Sequence, residues 1–153
     1  MKQDSRYCCQ HIMQQTFQKN VEMINFFFSS LKTAEEKYHA LIEMGSKLSP
    51  LPEQFKTSEN LVQGCQSTLY LHTTQKDHQL FFQASCDALI SAGLAALLIS
   101  AYDGESPETI LTHPPDFIKD LGIYASLSPS RSNGLVNIHL KMKQDALKYL
   151  LKK

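Results

Sequence analysis

The sequence predicts an α+β fold in which a three-stranded antiparallel sheet packs against helices. Three observations point there. Between Asn60 and Ser85 the apolar residues alternate: Leu69, Leu71 and Thr73 fall on one face of a strand and Tyr70, His72 and Thr74 on the other, and Leu80, Phe82 and Ala84 then oppose Phe81 and Gln83. That is the period of half-buried strands. On either side of this stretch apolar residues recur at spacings of three and four, the helical period. The chain has 153 residues and is 42% hydrophobic, enough to bury one sizeable core, so a single domain over 1–153 is expected.

From Gln10 to Ser29, the residues Ile12, Met13, Phe17, Val21, Ile24, Phe27 and Phe28 predict a first helix with one face inward, inside an N-terminal segment 1–33. Thr33-Ala34-Glu35-Glu36 has capping-box form, hydroxyl to backbone N–H and carboxylate back to the cap, so a second helix starts there. Tyr38, Leu41, Ile42, Gly45 and Leu48 make its inner stripe, and Ser49-Pro50-Leu51-Pro52 ends it, because prolines remove donors and push the preceding residue to extended geometry. Pro52 to Glu59 is a polar connector into the first strand, which bends at Gly64-Cys65. The second strand follows the bend, Gln75-Lys76-Asp77 is a polar turn, and His78 to Ser85 forms the third strand.

Asp87 or its neighbour is expected to cap the next helix, Ala88 to Tyr102, with the carboxylate favoured near the helix N-terminus. Apolar residues lie almost all round that helix, which marks it as the centre of the core. Asp103-Gly104 ends it, and Ser106-Pro107-Glu108 starts a short helix with serine as cap and proline at the first position. His113-Pro114-Pro115 closes that helix, and Asp116 to Leu121 is a further helical turn ended by Gly122. Ser128-Pro129 caps a long last helix in which Leu135, Ile138, Met142, Ala146 and Tyr149 face inward while Lys141, Lys143 and Lys148 face water.

Fifteen basic and fifteen acidic residues cancel, so no global field draws the chain to nucleic acid or to an anionic membrane, and neither is expected as a partner. The longest apolar run, Ala88 to Tyr102, is too short to cross a bilayer core of about 30 Å. The N-terminus lacks the pattern of an export signal, and the expected compartment is the cytoplasm. Cysteines stand at 8, 9, 65 and 86, with no C-x-x-C spacing. In a reducing compartment all four are read as thiols, no metal or cofactor is expected, and Cys8 and Cys9 are exposed or lightly packed at a helix start.

Cys65 lies at the bend of Asn60-Leu-Val-Gln-Gly-Cys-Gln-Ser-Thr-Leu-Tyr-Leu-His-Thr-Thr74. Gly64 supplies the backbone freedom of a sharp turn, and Gln66 and Ser67 offer donors to a sulfur anion. Gly64-Cys65-Gln66-Ser67, Cys86-Asp87-Ala88-Leu89-Ile90, Leu127-Ser128-Pro129-Ser130-Arg131-Ser132-Asn133-Gly134-Leu135 and the Ala34-Glu35-Glu36-Lys37-Tyr38 helix with Gly45 and Leu48 together resemble the SufE/CsdE sulfur-acceptor proteins. The match covers roughly 34–150. The resemblance implies a SufE-like fold and a chain that is not itself an enzyme. Cys65 would accept a persulfide sulfur from a SufS/CsdA-like cysteine desulfurase, stimulate that desulfurase, and pass the sulfur to an iron–sulfur scaffold complex.

The residues themselves leave other readings open. A turn cysteine is often structural. Arg131, in the first turn of the last helix where a cation opposes the dipole, either stabilises a thiolate or persulfide anion, pairs with a carboxylate, or is a solvated residue. Asp87 is a cap first, with any effect on partner contact or loop position coming through that helix end. Cys86 is read as inert, packing as a small hydrophobe, and most histidines as surface residues. Two rival functions stand: a cysteine hydrolase or transferase using Cys65 with His72 or another histidine as base, and an iron–sulfur scaffold using Cys65, Cys86 and a histidine or acidic residue as ligands.

Overall fold

A computed structural model describes residues 5–152, with side chains from residue 16 onward. The chain runs α1 (Ser5–Ser29), α2 (Ala34–Ser46), β1 (Leu69–Lys76), β2 (Gln79–Cys86), α3 (Leu89–Tyr102), α4 (Pro107–Thr112) and α5 (Pro129–Leu151), with 3-10 turns at Glu53–Phe55, Asp116–Leu121 and Tyr124–Ser126. Three helix starts follow the local chemistry of the sequence. Thr33 and Glu36 form both halves of the capping box, Ser106 accepts the Thr109 N–H ahead of Pro107, and Ser128 accepts the Arg131 N–H at 3.3 Å ahead of Pro129. Each satisfies a backbone donor that the first helical turn leaves free.

The sheet has two strands, not three. β1 and β2 pair antiparallel from Leu69↔Cys86 to Lys76↔Gln79 around a tight turn in which Asp77 and His78 both have positive φ. The expected first strand is reduced to a single bridge, Leu61↔Tyr70, closed by Val62 N–H to the Leu69 carbonyl at 2.9 Å and Leu71 N–H to the Asn60 carbonyl at 2.8 Å. Only Leu61 and Val62 precede the Gly64 turn as apolar residues, and upstream the chain is occupied by a 3-10 turn and polar residues, so nothing is available to extend the ladder. The alternation itself holds: Leu69, Leu71, Leu80 and Ala84 are essentially fully buried and Thr73 and Phe82 nearly so. Full burial of each leucine is worth about 1.5–3 kcal/mol.

Against that face lies α3, whose Leu94, Ala95, Leu97, Leu98 and Ala101 sit in one continuous core with residues of α1, α2 and α5. α2 crosses α3 at close range through Gly45 and Gly93; a Cβ on Gly93 would run into the carbonyl oxygen of Leu41 and lie 2.6 Å from its carbon. In α1, Phe17, Ile24 and Phe28 are buried as expected, whereas Phe27 is 46% exposed, because burial follows the 17–24–28 stripe and residue 27 is rotated off it. Ile12 and Met13 fall outside the residues whose side chains are described. On α5, Lys141 departs from its expected place: it is buried and its Nζ pairs with Asp145 Oδ1 at 2.6 Å, while Asp145 Oδ2 accepts from the Thr73 hydroxyl at 2.7 Å. Tyr149 donates to the Thr73 carbonyl at 2.9 Å. This network fastens α5 to β1, and it is the Asp145 carboxylate, itself held by the strand hydroxyl, that makes a buried lysine tolerable.

Candidate functional site

The bridge at Leu61 and the start of β1 bring two ends of the chain together, and residues 63–68 form the loop between them with Cys65 near its tip. Gly64 has φ +78° and a Cβ there would lie 2.6 Å from Asn137 Nδ2, so both the backbone angle and the space call for glycine. The Asn137 amide donates to the Gly64 carbonyl at 3.1 Å and ties the loop to α5. At the far side, Thr68 N–H donates to Asp87 Oδ1 at 3.0 Å, and Asp87 N–H donates to the Thr68 carbonyl at 3.3 Å. The Asp87 carboxylate therefore serves the loop and does not cap α3, whose cap position is Ala88 with no side-chain bond. The correction has a simple cause: the exposed Thr68 N–H lies beyond the last ladder pair, and a carboxylate at the sheet end completes it.

Cys65 itself is half-buried and packs on the core. Its thiol points at the backbone of α5, 3.9 Å from the Gly134 carbonyl oxygen. Burial pushes the Cys65 pKa up, a charge on Cys86 would push it the same way, and the Arg131 guanidinium pulls it down. The thiol is thus held mainly in its neutral form, with one cation close enough to favour the anion when it forms. Arg131 is itself aimed by α3: its Nη1 donates to the buried Ser91 hydroxyl at 2.6 Å. Cys86, the last residue of β2, is also half-buried; its thiol donates to Ser67 Oγ at 3.4 Å and its sulfur accepts from Ala88 N–H at 3.5 Å.

The family model described as "SufE: Fe-S metabolism associated domain" matches residues 22–146. The chain belongs to the SufE family. It is 36% identical over 136 residues to an uncharacterized SufE-like protein of Synechocystis sp., covering 89% of this chain and 86% of that protein. It is 34% identical over 138 residues to the cysteine desulfuration protein SufE of Wigglesworthia glossinidia brevipalpis, covering 88% and 96% respectively. To SufE-like protein 1, chloroplastic/mitochondrial, of Arabidopsis thaliana it is 40% identical over 121 residues, but there it spans only 33% of the plant protein's length. Among solved structures, the solution structure of a hypothetical protein from Thermus thermophilus superposes with a TM-score of 0.72 at 26% identity, covering 86% of this chain and 96% of that one.

Within this SufE domain the residues singled out by sequence converge only in part. Gly64, Cys65, Ser67, Asp87 and Arg131 gather at one end of the molecule, while Gln66 is exposed at the loop tip. Cys8 and Cys9 lie outside the residues whose side chains are described. Two contributors went unread, Asn137 and Ser91, and a third, Gly134, is named in the Leu127–Leu135 motif without its place under the thiol. Their sequence neighbourhoods hold no sign of the role, since each meets the loop or Arg131 from at least 40 residues away.

Among the described residues no histidine hydrogen-bonds to Cys65. His72 accepts from Asn60 Nδ2 at 3.2 Å and stacks on Phe55 with ring centroids 3.9 Å apart, His78 faces Glu108 at 3.0 Å, and His139 is buried with Nε2 unpartnered. No group of three or more His, Cys, Asp and Glu side chains arranged to hold a metal occurs among the described residues. Nor is any helix there long and apolar enough to cross a membrane.

Proposed function

We propose that this chain is a sulfur carrier for iron–sulfur cluster assembly, in which Cys65 accepts sulfane sulfur from a cysteine desulfurase and hands it to a scaffold complex. The observation that carries the reading is a half-buried Cys65 thiol on a loop pinned at its two ends by Asn137 and Asp87, with Arg131 beside it. The family's description as an Fe-S metabolism domain and a relative named as a cysteine desulfuration protein support it.

In the transfer, the Cys65 thiolate attacks the outer sulfur of the desulfurase persulfide. A new S–S bond forms on Cys65 while the old one breaks, leaving its electron pair on the desulfurase cysteine, and no oxidant is consumed. A neutral, half-buried thiol is a poor nucleophile, which protects the loop from stray exchange. Swinging the thiol out toward a partner removes the burial that opposes ionisation. Arg131 is positioned to offset charge on the sulfur anion before and after transfer. On this reading docking both activates the acceptor and drains the desulfurase of its persulfide, which is how a carrier stimulates turnover it does not itself perform.

The test is intact-mass analysis after incubation with a cysteine desulfurase and L-cysteine. The parent protein is expected to gain sulfur on Cys65 and to raise sulfide release, and Cys65→Ser to do neither while keeping the parent's thermal midpoint. Normal stimulation by Cys65→Ser would overturn the carrier mechanism.

A further inference from the structure

Cys86 has no part in the scheme above, yet several contacts converge on it. It closes β2 directly opposite Leu69, where β1 begins. Its thiol donates to Ser67 Oγ at 3.4 Å, so the loop that presents Cys65 also touches Cys86 two residues further on. The paired hydrogen bonds between Thr68 and Asp87 hold that loop end against the residue following Cys86. Ala88 N–H, at the head of α3, donates to Cys86 Sγ at 3.5 Å, a contact that an ordinary packed methyl-sized group would not use. Both cysteines are free thiols, both are half-buried, and both pack on the same core. They are also close enough that charge on the Cys86 sulfur is felt at Cys65.

We infer that Cys86 is a second station for sulfane sulfur, taking it from a Cys65 persulfide within the same chain. The inference rests on the acceptor role proposed for Cys65. The step is a thiol exchange. The Cys86 thiolate attacks the outer sulfur of Cys65–S–SH, an S–S bond forms on Cys86 as the one on Cys65 breaks, and the electron pair of the broken bond stays on Cys65 Sγ. That sulfur takes up the proton Cys86 released, so nothing is oxidised or reduced. Two thiols held at one end of the same fold react at a high effective concentration that free thiols do not match. The carrier is then reset: Cys65 returns to a thiol that can take a second sulfur, while the first waits at the sheet end with the Ala88 N–H as donor to its sulfur.

The experiment uses the full chain with Cys8→Ser and Cys9→Ser as parent. A limiting amount of cysteine desulfurase with L-cysteine loads it, the desulfurase is removed, persulfides are trapped by alkylation at successive times, and the Cys65 and Cys86 peptides are read separately by mass spectrometry. The expected result is label first on Cys65, then comparable label on both peptides, the gain on Cys86 matching the loss from Cys65. Cys86→Ser should show label on Cys65 only, and Cys65→Ser on neither. Label confined to Cys65 at all times in the parent overturns the inference and leaves the acceptor role standing. So does a Cys65–Cys86 disulfide with released hydrosulfide, which would make Cys86 a resolving thiol, and so does Cys86 label in Cys65→Ser, which would make it an independent acceptor. Absence of label from Cys65 in the parent would overturn the acceptor role as well. Because the time course in the parent decides the matter, it does not depend on how well either variant folds.

Discussion

Replacing Gly64 by alanine should open the Cys65 loop while leaving the thiol itself unchanged. The residue has φ +78°, and the added Cβ would lie 2.6 Å from Asn137 Nδ2. A left-handed conformation costs a residue with a Cβ about 1–2 kcal/mol. Pushing Asn137 aside also forfeits its 3.1 Å hydrogen bond to the Gly64 carbonyl, about 0.5–1.5 kcal/mol. The closed loop is therefore penalised by about 2–3 kcal/mol, and the cheapest escape is local, because the bridge at Leu61 and the Thr68–Asp87 contact can hold while residues 63–66 swing out. A shift of that size changes a two-state population by about thirtyfold or more.

The assay is the rate of Cys65 alkylation at fixed pH in a background with Cys8, Cys9 and Cys86 changed to serine. Gly64→Ala is expected to raise that rate by about thirtyfold or more with only a small fall in thermal midpoint. Asn137→Ala alone, losing the hydrogen bond without the strain, should raise it less. In the double variant the clash is gone, so the combined effect should fall short of the sum. Parent-like labelling in Gly64→Ala, or strict additivity of the pair, would refute the argument that this glycine and this asparagine hold the thiol in.

Arg131→Ala should move the pH midpoint of Cys65 alkylation upward, since it removes a nearby cation that favours the thiolate; an unmoved midpoint would make the residue a structural link to Ser91. Gly93→Ala should lower stability by about 1–3 kcal/mol in denaturant titration, because α2 and α3 must part to admit a Cβ against Leu41, and an unchanged midpoint would show that the crossing yields freely. Burial lowers the pKa of His139 from 6.5 to about 4, so between those values the unfolded chain binds a proton that the folded chain refuses. Its contribution to stability is intact above about pH 6.5 and drains as pH falls toward 4, at up to about 1.4 kcal/mol per pH unit, a loss that His139→Asn should remove. Burial raises Glu105 from 4.5 to about 7, the opposite sign: its contribution is intact below about pH 4.5 and drains as pH rises through 7. Glu105→Gln should flatten that limb, and a parent-like pH profile in either variant would sink the assignment.

The parts of this fold that could be read from sequence are those set by neighbours along the chain. Capping depends on residues three apart, so Thr33–Glu36, Ser106–Thr109 and Ser128–Arg131 all stand where the letters put them. Alternation places Leu69, Leu71, Leu80 and Ala84 inside for the same reason. Where a side chain had two outlets, one local and one across the fold, the distant one prevailed. Lys141 reads as a solvent-facing helix position until β1 packs on α5 and its Thr73 hydroxyl takes the other oxygen of Asp145, the helix neighbour that pairs with the lysine. Asp87 reads as a helix cap until the end of the β1–β2 ladder leaves Thr68 N–H without a strand partner. The candidate site divides along the same line. Gly64 and Cys65 announce a turn with a thiol, but Asn137, Gly134 and Ser91 become part of it only when α5 and α3 arrive. That division explains why Cys86 is read as inert from sequence: its neighbours on either side describe a strand end, whereas Ser67 and the loop bearing Cys65 reach it from the other side of the hairpin. A cysteine with partners remote in sequence has to be judged by what the fold brings to its sulfur, and here the fold adds the Ser67 hydroxyl and the loop of a second thiol to the local Ala88 N–H.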